Sequence, residues 1–176
     1  MPRFETTRLV RHAPQTMFDL VADIERYPEF VPMCTSLAIR RRSTDEAGRE
    51  VLTADMSIGY RMISEVFTTR VVLDRGGEGA PPRILVSYVD GPFRHLENRW
   101  TFLPADGPGP APREPASPSP AGASPVGCRV QFYIDYEFKS RAFQVLAGAV
   151  FETVFRKMAE AFEKRADDLA RRMPQG

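Results

Sequence analysis

The chain has 176 residues, 43% of them apolar and 27% charged, which suits an ordinary globular protein of one domain. A formal net charge of +1 lacks the broad basic excess of a nucleic-acid binder, so no DNA partner is expected. No run approaches the roughly 18 consecutive apolar residues of a membrane span, and Cys34 and Cys128 lie too far apart for metal-ligand spacing and read as reduced thiols.

Met1 to Thr6 shows no apolar signal core, so a cytoplasmic protein is expected, with a peripheral place at the inner face of the membrane as the variant. Phe4 to Val10 reads as a first strand. Ala13-Pro14 opens a helix, because proline suits the first helical position, and Met17, Leu20, Val21 and Ile24 form its apolar stripe. Tyr27-Pro28 ends that helix, and Glu29 to Met33 makes at most another turn. Tyr27, Phe30, Val31 and Met33 are apolar at a connection. They plug one end of the core, or they form a gate or a membrane-touching lip.

From Cys34 the period changes to two, the mark of half-buried strands. Leu37 and Ile39 alternate before Arg40-Arg41-Arg42, which with Arg49 is the most basic local cluster. It reads as a solvated strand end, with phosphate or ribosome contact as the other meaning. Leu52, Ala54, Met56 and Ile58 share one face, as do Ile63, Phe67, Val71 and Leu73. Ile84, Val86 and Tyr88 alternate, and after the Asp90-Gly91-Pro92 turn so do Leu96, Asn98, Trp100 and Phe102. The last strand carries Cys128, Val130, Phe132, Ile134, Tyr136 and Phe138 on one face. Arg129, Gln131, Tyr133, Asp135 and Glu137 take the other.

Between the last two strands, Pro104 to Gly127 holds eight of the sixteen prolines and four glycines without periodicity. It is expected to be a disordered insertion in a single domain covering 1–176. Ser140 to Met173 then reads as one long amphipathic helix, capped by Ser140 and stopped by Pro174. Phe143, Leu146, Ala147, Val150, Val154, Met158, Ala161, Ala166 and Leu169 make its apolar face. The expected architecture is α+β: a curved antiparallel sheet wrapped around this helix, with two short helices after the first strand and a gap between sheet and helix.

Chemistry is sparse. His12 and His95 stand apart, no ligand-spaced cluster or glycine-rich phosphate loop occurs, and Asp55, Asp135 and Glu137 fall on the outward series. Asn98 is the clearly polar residue of an inward series, placed to satisfy backbone groups or to touch a ligand. The residues alone lead to a non-enzymatic α+β domain with no catalytic or metal-binding residues.

Three separated stretches carry a resemblance. Phe4 to Cys34, ending Tyr27-Pro28-Glu29-Phe30-Val31-Pro32-Met33-Cys34, resembles the opening of the coenzyme Q-binding and ribosome-association-toxin family of the START-like, polyketide-cyclase-related superfamily. Asp90-Gly91-Pro92-Phe93 with Leu96-Glu97-Asn98-Arg99-Trp100 is similar to its middle motif, and Asp135 to Ser140 to the junction into its last helix. The insertion at 104–127 departs from the short hairpin of that pattern. The resemblance implies a helix-grip fold with an apolar cavity that binds ubiquinone or another polyprenyl lipid, a bound ligand and not a cofactor, in support of respiratory electron transfer. It implies as the alternative a toxin-like protein that binds the large ribosomal subunit and blocks subunit association.

An isoprenoid tail offers few hydrogen-bonding groups, so its site needs apolar wall. Leu52, Met56, Phe67, Tyr88, Trp100, Phe132 and Tyr136 from the sheet, with Leu146 and Val150 from the helix, are the expected ligand contacts. Tyr27 and Phe30 are expected to flank the entrance.

Overall fold

The structure is a computed structural model that describes residues 3–60, 63–77, 79–105 and 127–172. Strand β1 (Arg3–Val10) leads into helix α1 (Pro14–Ala22) and a 3-10 helix over Ile24–Glu29. Strands β2 (Cys34–Thr44), β3 (Glu50–Tyr60), β4 (Ile63–Asp74), β5 (Arg83–Asp90), β6 (Phe93–Pro104) and β7 (Cys128–Phe138) follow, then helix α2 (Arg141–Arg172).

Short connections make successive strands antiparallel neighbours, and β1 adds to the far side of β7. The sheet order is β1-β7-β6-β5-β4-β3-β2. The alternating series survive as registers: Phe132 faces both Thr6 on β1 and Trp100 on β6, and Met56 faces Phe67. The inward members form one core, with Phe18, Leu52, Ile84, Phe102 and Phe162 nearly free of solvent contact.

The expectation of a curved sheet wrapped around the helix is corrected. The sheet is open, with β1 and β2 as its two free edges, and α2 packs against β1, β7 and α1 at one end of it. Width explains this. Seven strands about 4.8 Å apart span roughly 29 Å, whereas a helix with side chains is about 10–12 Å across. One helix covers only part of the inner face. The 3-10 segment and the turn after it, Ile24 to Met33, cover more.

The first helix is shorter than its periodicity suggests. Pro14 opens it as expected, but the Asp23 N–H closes on the Asp19 carbonyl at 3.2 Å and the backbone tightens to 3-10 geometry. Pro28 is accommodated there, and the Tyr27 carbonyl accepts from the amides of Phe30 (3.1 Å) and Val31 (2.8 Å). Met33 follows with φ +69°, in the left-handed region that side chains avoid, and its carbonyl accepts the Gly59 N–H at 2.9 Å.

Among the described side chains of α2 the buried ones are Phe151, Phe155 and Phe162, about 100° around from Val150, Val154 and Ala161 of the expected face, and Ala166, which belongs to that face. Leu169 is exposed, and the side chains of Phe143, Leu146 and Ala147 lie outside the described residues. Two acidic residues of the helix tie it down: Glu163 accepts from Arg8 Nε at 3.2 Å, and Asp167 Oδ1 lies 2.6 Å from His12 Nε2. The expected disorder of the proline-rich stretch falls on 106–126, which lie outside the described residues. Its neck is described: Pro104 pairs with Cys128, and the Ala105 N–H donates to the Gly127 carbonyl at 3.2 Å.

Candidate functional site

The inner face that α2 leaves uncovered holds a cavity of about 140 Å³. Strands β2 to β7 form its floor, the Ile24–Met33 segment one wall, and α2 another. Alternation on the strands places the floor residues, because every second side chain points to this face.

Of the expected ligand contacts, Met56, Phe67, Trp100, Phe132 and Tyr136 stand together on the cavity wall. Leu52 does not; it is packed in the core at 1% exposure. Tyr88 lies behind the wall, its ring 5.7 Å from Phe93 and its hydroxyl accepting the Phe93 N–H at 3.2 Å. Val150 is half-buried and outside the wall, and the Leu146 side chain lies outside the described residues. The helix lines the cavity instead with Phe151, Val154, Phe155 and Met158. Val154 and Met158 belong to the expected face, whereas the two phenylalanines required the rotation described above.

Tyr27 is part of the wall and is tied down, its hydroxyl donating to the Val21 carbonyl. Burial pushes its phenol far above the ordinary tyrosine range. Phe30 leaves the cavity to pack on Phe162, with ring centroids 5.1 Å apart, and Arg165 lies 5.2 Å over its ring. Val31, Pro32 and Met33 reach the cavity in its place.

Trp100 and Phe132 form the centre of the aromatic wall, with centroids 4.7 Å apart, and Trp100 also meets Phe162 at 5.2 Å. Asn98 supports them: its amide nitrogen donates to the Tyr133 carbonyl at 2.9 Å and its oxygen accepts the Trp100 indole N–H at 3.0 Å. Of its two expected roles, the geometry displays backbone satisfaction. Thr69 is a second polar residue on an inward series, 6% exposed and on the cavity wall. Its position between Phe67 and Val71 was the available signal, missed because threonine is also a common strand former.

The described wall carries no Asp, Glu, Lys, Arg or His, and hence no pair able to exchange protons at neutral pH. Among the described residues no group of three or more His, Cys, Asp or Glu could hold a metal ion, and no helix is long and apolar enough to cross a membrane. Cys34 and Cys128 are buried free thiols, pushed by burial up to about 11 and about 12 respectively, which suppresses the reactive thiolate. The wall is largely aromatic and aliphatic surface with few polar groups.

The opposite face of the sheet is more polar, with one surprise for the alternating pattern. Asp135, on the outward series, is only 8% exposed; its Oδ1 has no hydrogen-bond partner and its Oδ2 lies 3.7 Å from His95 Nε2.

The family described as polyketide cyclase / dehydrase and lipid transport matches residues 10–163. The ribosome association toxin RatA of Escherichia coli K12 is 30% identical over 169 residues, covering 96% of this chain and 89% of that protein. The mitochondrial coenzyme Q-binding protein COQ10 of Drosophila melanogaster is 28% identical over 156 residues, covering 88% of this chain and 54% of that protein. The solution structure of the 18 kDa protein CC1736 from Caulobacter crescentus superposes with a TM-score of 0.69 at 28% identity, covering 97% of this chain and 99% of that one.

Proposed function

Since the chain belongs to the polyketide cyclase / dehydrase and lipid transport family, a START-like group of ligand-binding folds, we propose that it acts at the ribosome, binding the large subunit and opposing subunit association. The observation that carries this reading is the end-to-end match to a ribosome association toxin, 96% of one chain against 89% of the other. The match to the quinone-binding relative spans 54% of that protein. The test is sedimentation of the purified protein with separated ribosomal subunits. Expected is travel with the large subunit, a smaller fraction of joined ribosomes when both subunits are mixed, and release by added salt, because contacts to ribosomal RNA are salt-dependent. Protein left at the top of a low-salt gradient, with subunit joining unchanged, counts against it.

The cavity favours a second reading: carriage of ubiquinone or a related polyprenyl lipid, with peripheral contact at a membrane, in support of respiratory electron transfer. Its uncharged aromatic and aliphatic wall supports an uncharged apolar ligand. Burying apolar surface is worth about 25 cal/mol per Å², which supplies affinity without polar contacts. Mass spectrometry of an organic extract of the purified protein checks it: a stoichiometric quinone is expected, and an extract without lipid removes the support.

A further inference from the structure

We propose that the cavity receives one uncharged ring bearing a carbonyl oxygen, and that the hydroxyls of Tyr136 and Thr69 are the donors that select it. The inference rests on the apolar-ligand reading above and names the chemistry of that ligand.

Size comes first. A cavity of about 140 Å³ is close to the roughly 150 Å³ apolar cavity that takes up benzene. It encloses a single ring. A long polyprenyl chain is several times larger, so the enclosed part of such a lipid is its head and not its tail.

Polarity comes second. Among the described residues four polar side chains on the wall bear on recognition: Asn98, Tyr27, Thr69 and Tyr136. Asn98 Oδ1 accepts the Trp100 indole N–H and one of the two Nδ2 hydrogens is given to the Tyr133 carbonyl, which holds the amide against the strand. The Tyr27 hydroxyl is committed to Val21. The hydroxyls of Thr69 and Tyr136 have no hydrogen-bond partner within the protein, although these residues are only 6% and 4% exposed. Neither oxygen is among the buried unpartnered side-chain atoms, so each keeps some accessible surface and is free to donate to a ligand atom that can accept.

Placement comes third. Thr69 on β4 pairs with Tyr88 on β5, and Leu96 on β6 pairs with Tyr136 on β7. Ser87 pairs with Glu97, which sets Tyr88 beside Leu96. Thr69 and Tyr136 therefore lie on one cross-strand row of the inner face, three strands apart, with Tyr88 and Leu96 between them. The Tyr136 ring is held edge-on to Phe138 at 5.8 Å and to Phe155 at 5.6 Å, so its direction is set before a ligand arrives. Burial, with the Glu152 carboxylate adding to it, raises the Tyr136 phenol above its ordinary range and keeps it protonated as a donor. A carboxylate head would meet no cation on the described wall and would be buried uncompensated. A neutral carbonyl matches both size and donors.

The test compares two molecules of one carbon skeleton, duroquinone with two ring carbonyls and durene with none. Full substitution of the duroquinone ring blocks addition by the Cys34 and Cys128 thiols. Titration calorimetry of the full-length protein gives both affinities, and quenching of Trp100, the only tryptophan, reports entry of the quinone. Duroquinone is expected to bind at least about tenfold tighter than durene, as one or more hydrogen bonds to a buried donor provide. Tyr136→Phe and Thr69→Val, which keep shape, should each lower duroquinone affinity about five- to tenfold and leave durene binding unchanged. Retained durene binding shows that the variant cavity is intact. A duroquinone-to-durene ratio near one, or one that neither variant changes, overturns the donor assignment and leaves the apolar-ligand reading standing. Binding of neither molecule overturns both.

Discussion

The Trp100 indole N–H donates to Asn98 Oδ1 at 3.0 Å, within one strand and two residues apart, and that same amide reaches across to the Tyr133 carbonyl at 2.9 Å. A single side chain thus satisfies two polar groups at a largely apolar wall and orients its largest ring. Replacing Asn98 with leucine removes the acceptor from a buried indole. The expected cost is about 2–3 kcal/mol, read from urea midpoints, together with an altered tryptophan emission maximum. An unchanged midpoint would mean that the indole finds another acceptor.

Phe162 is the pin between α2, the 3-10 segment and the sheet. It is 1% exposed and meets Tyr27, Phe30 and Trp100 at 5.3, 5.1 and 5.2 Å. Phe162→Ala should cost about 3–5 kcal/mol. Leu169→Ala, on the exposed stretch of the same helix, should stay within about 0.5 kcal/mol. Equal losses from the two variants would contradict the helix rotation.

Alkaline pH should destabilise the protein. Burial raises the Cys34 thiol to about 11 and the Cys128 thiol to about 12, and raises the Tyr27 and Tyr136 phenols as well. For each group the native state holds its proton more tightly than the unfolded chain does. The stabilisation is therefore complete below about pH 9, the unfolded thiol range, and is lost as pH rises through 11 and 12. Urea midpoints taken from pH 7 to 11 should fall above pH 9, and replacing both cysteines with alanine should shallow that fall. A flat profile to pH 11 would contradict the burial of these groups.

Asp135 is a buried carboxylate with one oxygen unpartnered. An amide of the same shape removes the charge without opening a void. Asp135→Asn is expected to leave stability unchanged or to raise it by about 0.5–1.5 kcal/mol at neutral pH. A loss of more than 1 kcal/mol would assign the carboxylate a structural ion pair, with His95 the nearest candidate.

We propose that residues 1–176 form one folding unit and that the proline-rich stretch is dispensable to it. The β6–β7 ladder closes at Pro104–Cys128 and Ala105–Gly127, so a short glycine-containing turn can join the two strands where the long one now does. Loop shortening changes closure entropy only slowly. Exchanging 106–126 for such a turn should move Tm by no more than a few degrees and preserve a single cooperative transition. Insoluble protein would assign the stretch a part in folding.

The strand segments and the existence of the long terminal helix were determined by the sequence alone, because side-chain alternation and helical spacing are local properties of the backbone. The inward series through Met56, Phe67, Trp100, Phe132 and Tyr136 reappears on one cavity wall for that reason. The helix face was less determinate. Apolar residues on α2 spread over more than one side, and which side is buried depended on the fit of Phe151, Phe155 and Phe162 against partners far away in sequence. Whether the sheet wraps the helix or stays open was decided by the width of seven strands against one helix, a quantity that no local pattern contains. Tertiary packing alone decided that Asp135 is buried, that Asn98 is committed while Thr69 is free, and that the cavity holds about 140 Å³. Each of these depends on atoms brought together from distant parts of the chain, and periodicity says which face a residue takes but not what it meets there.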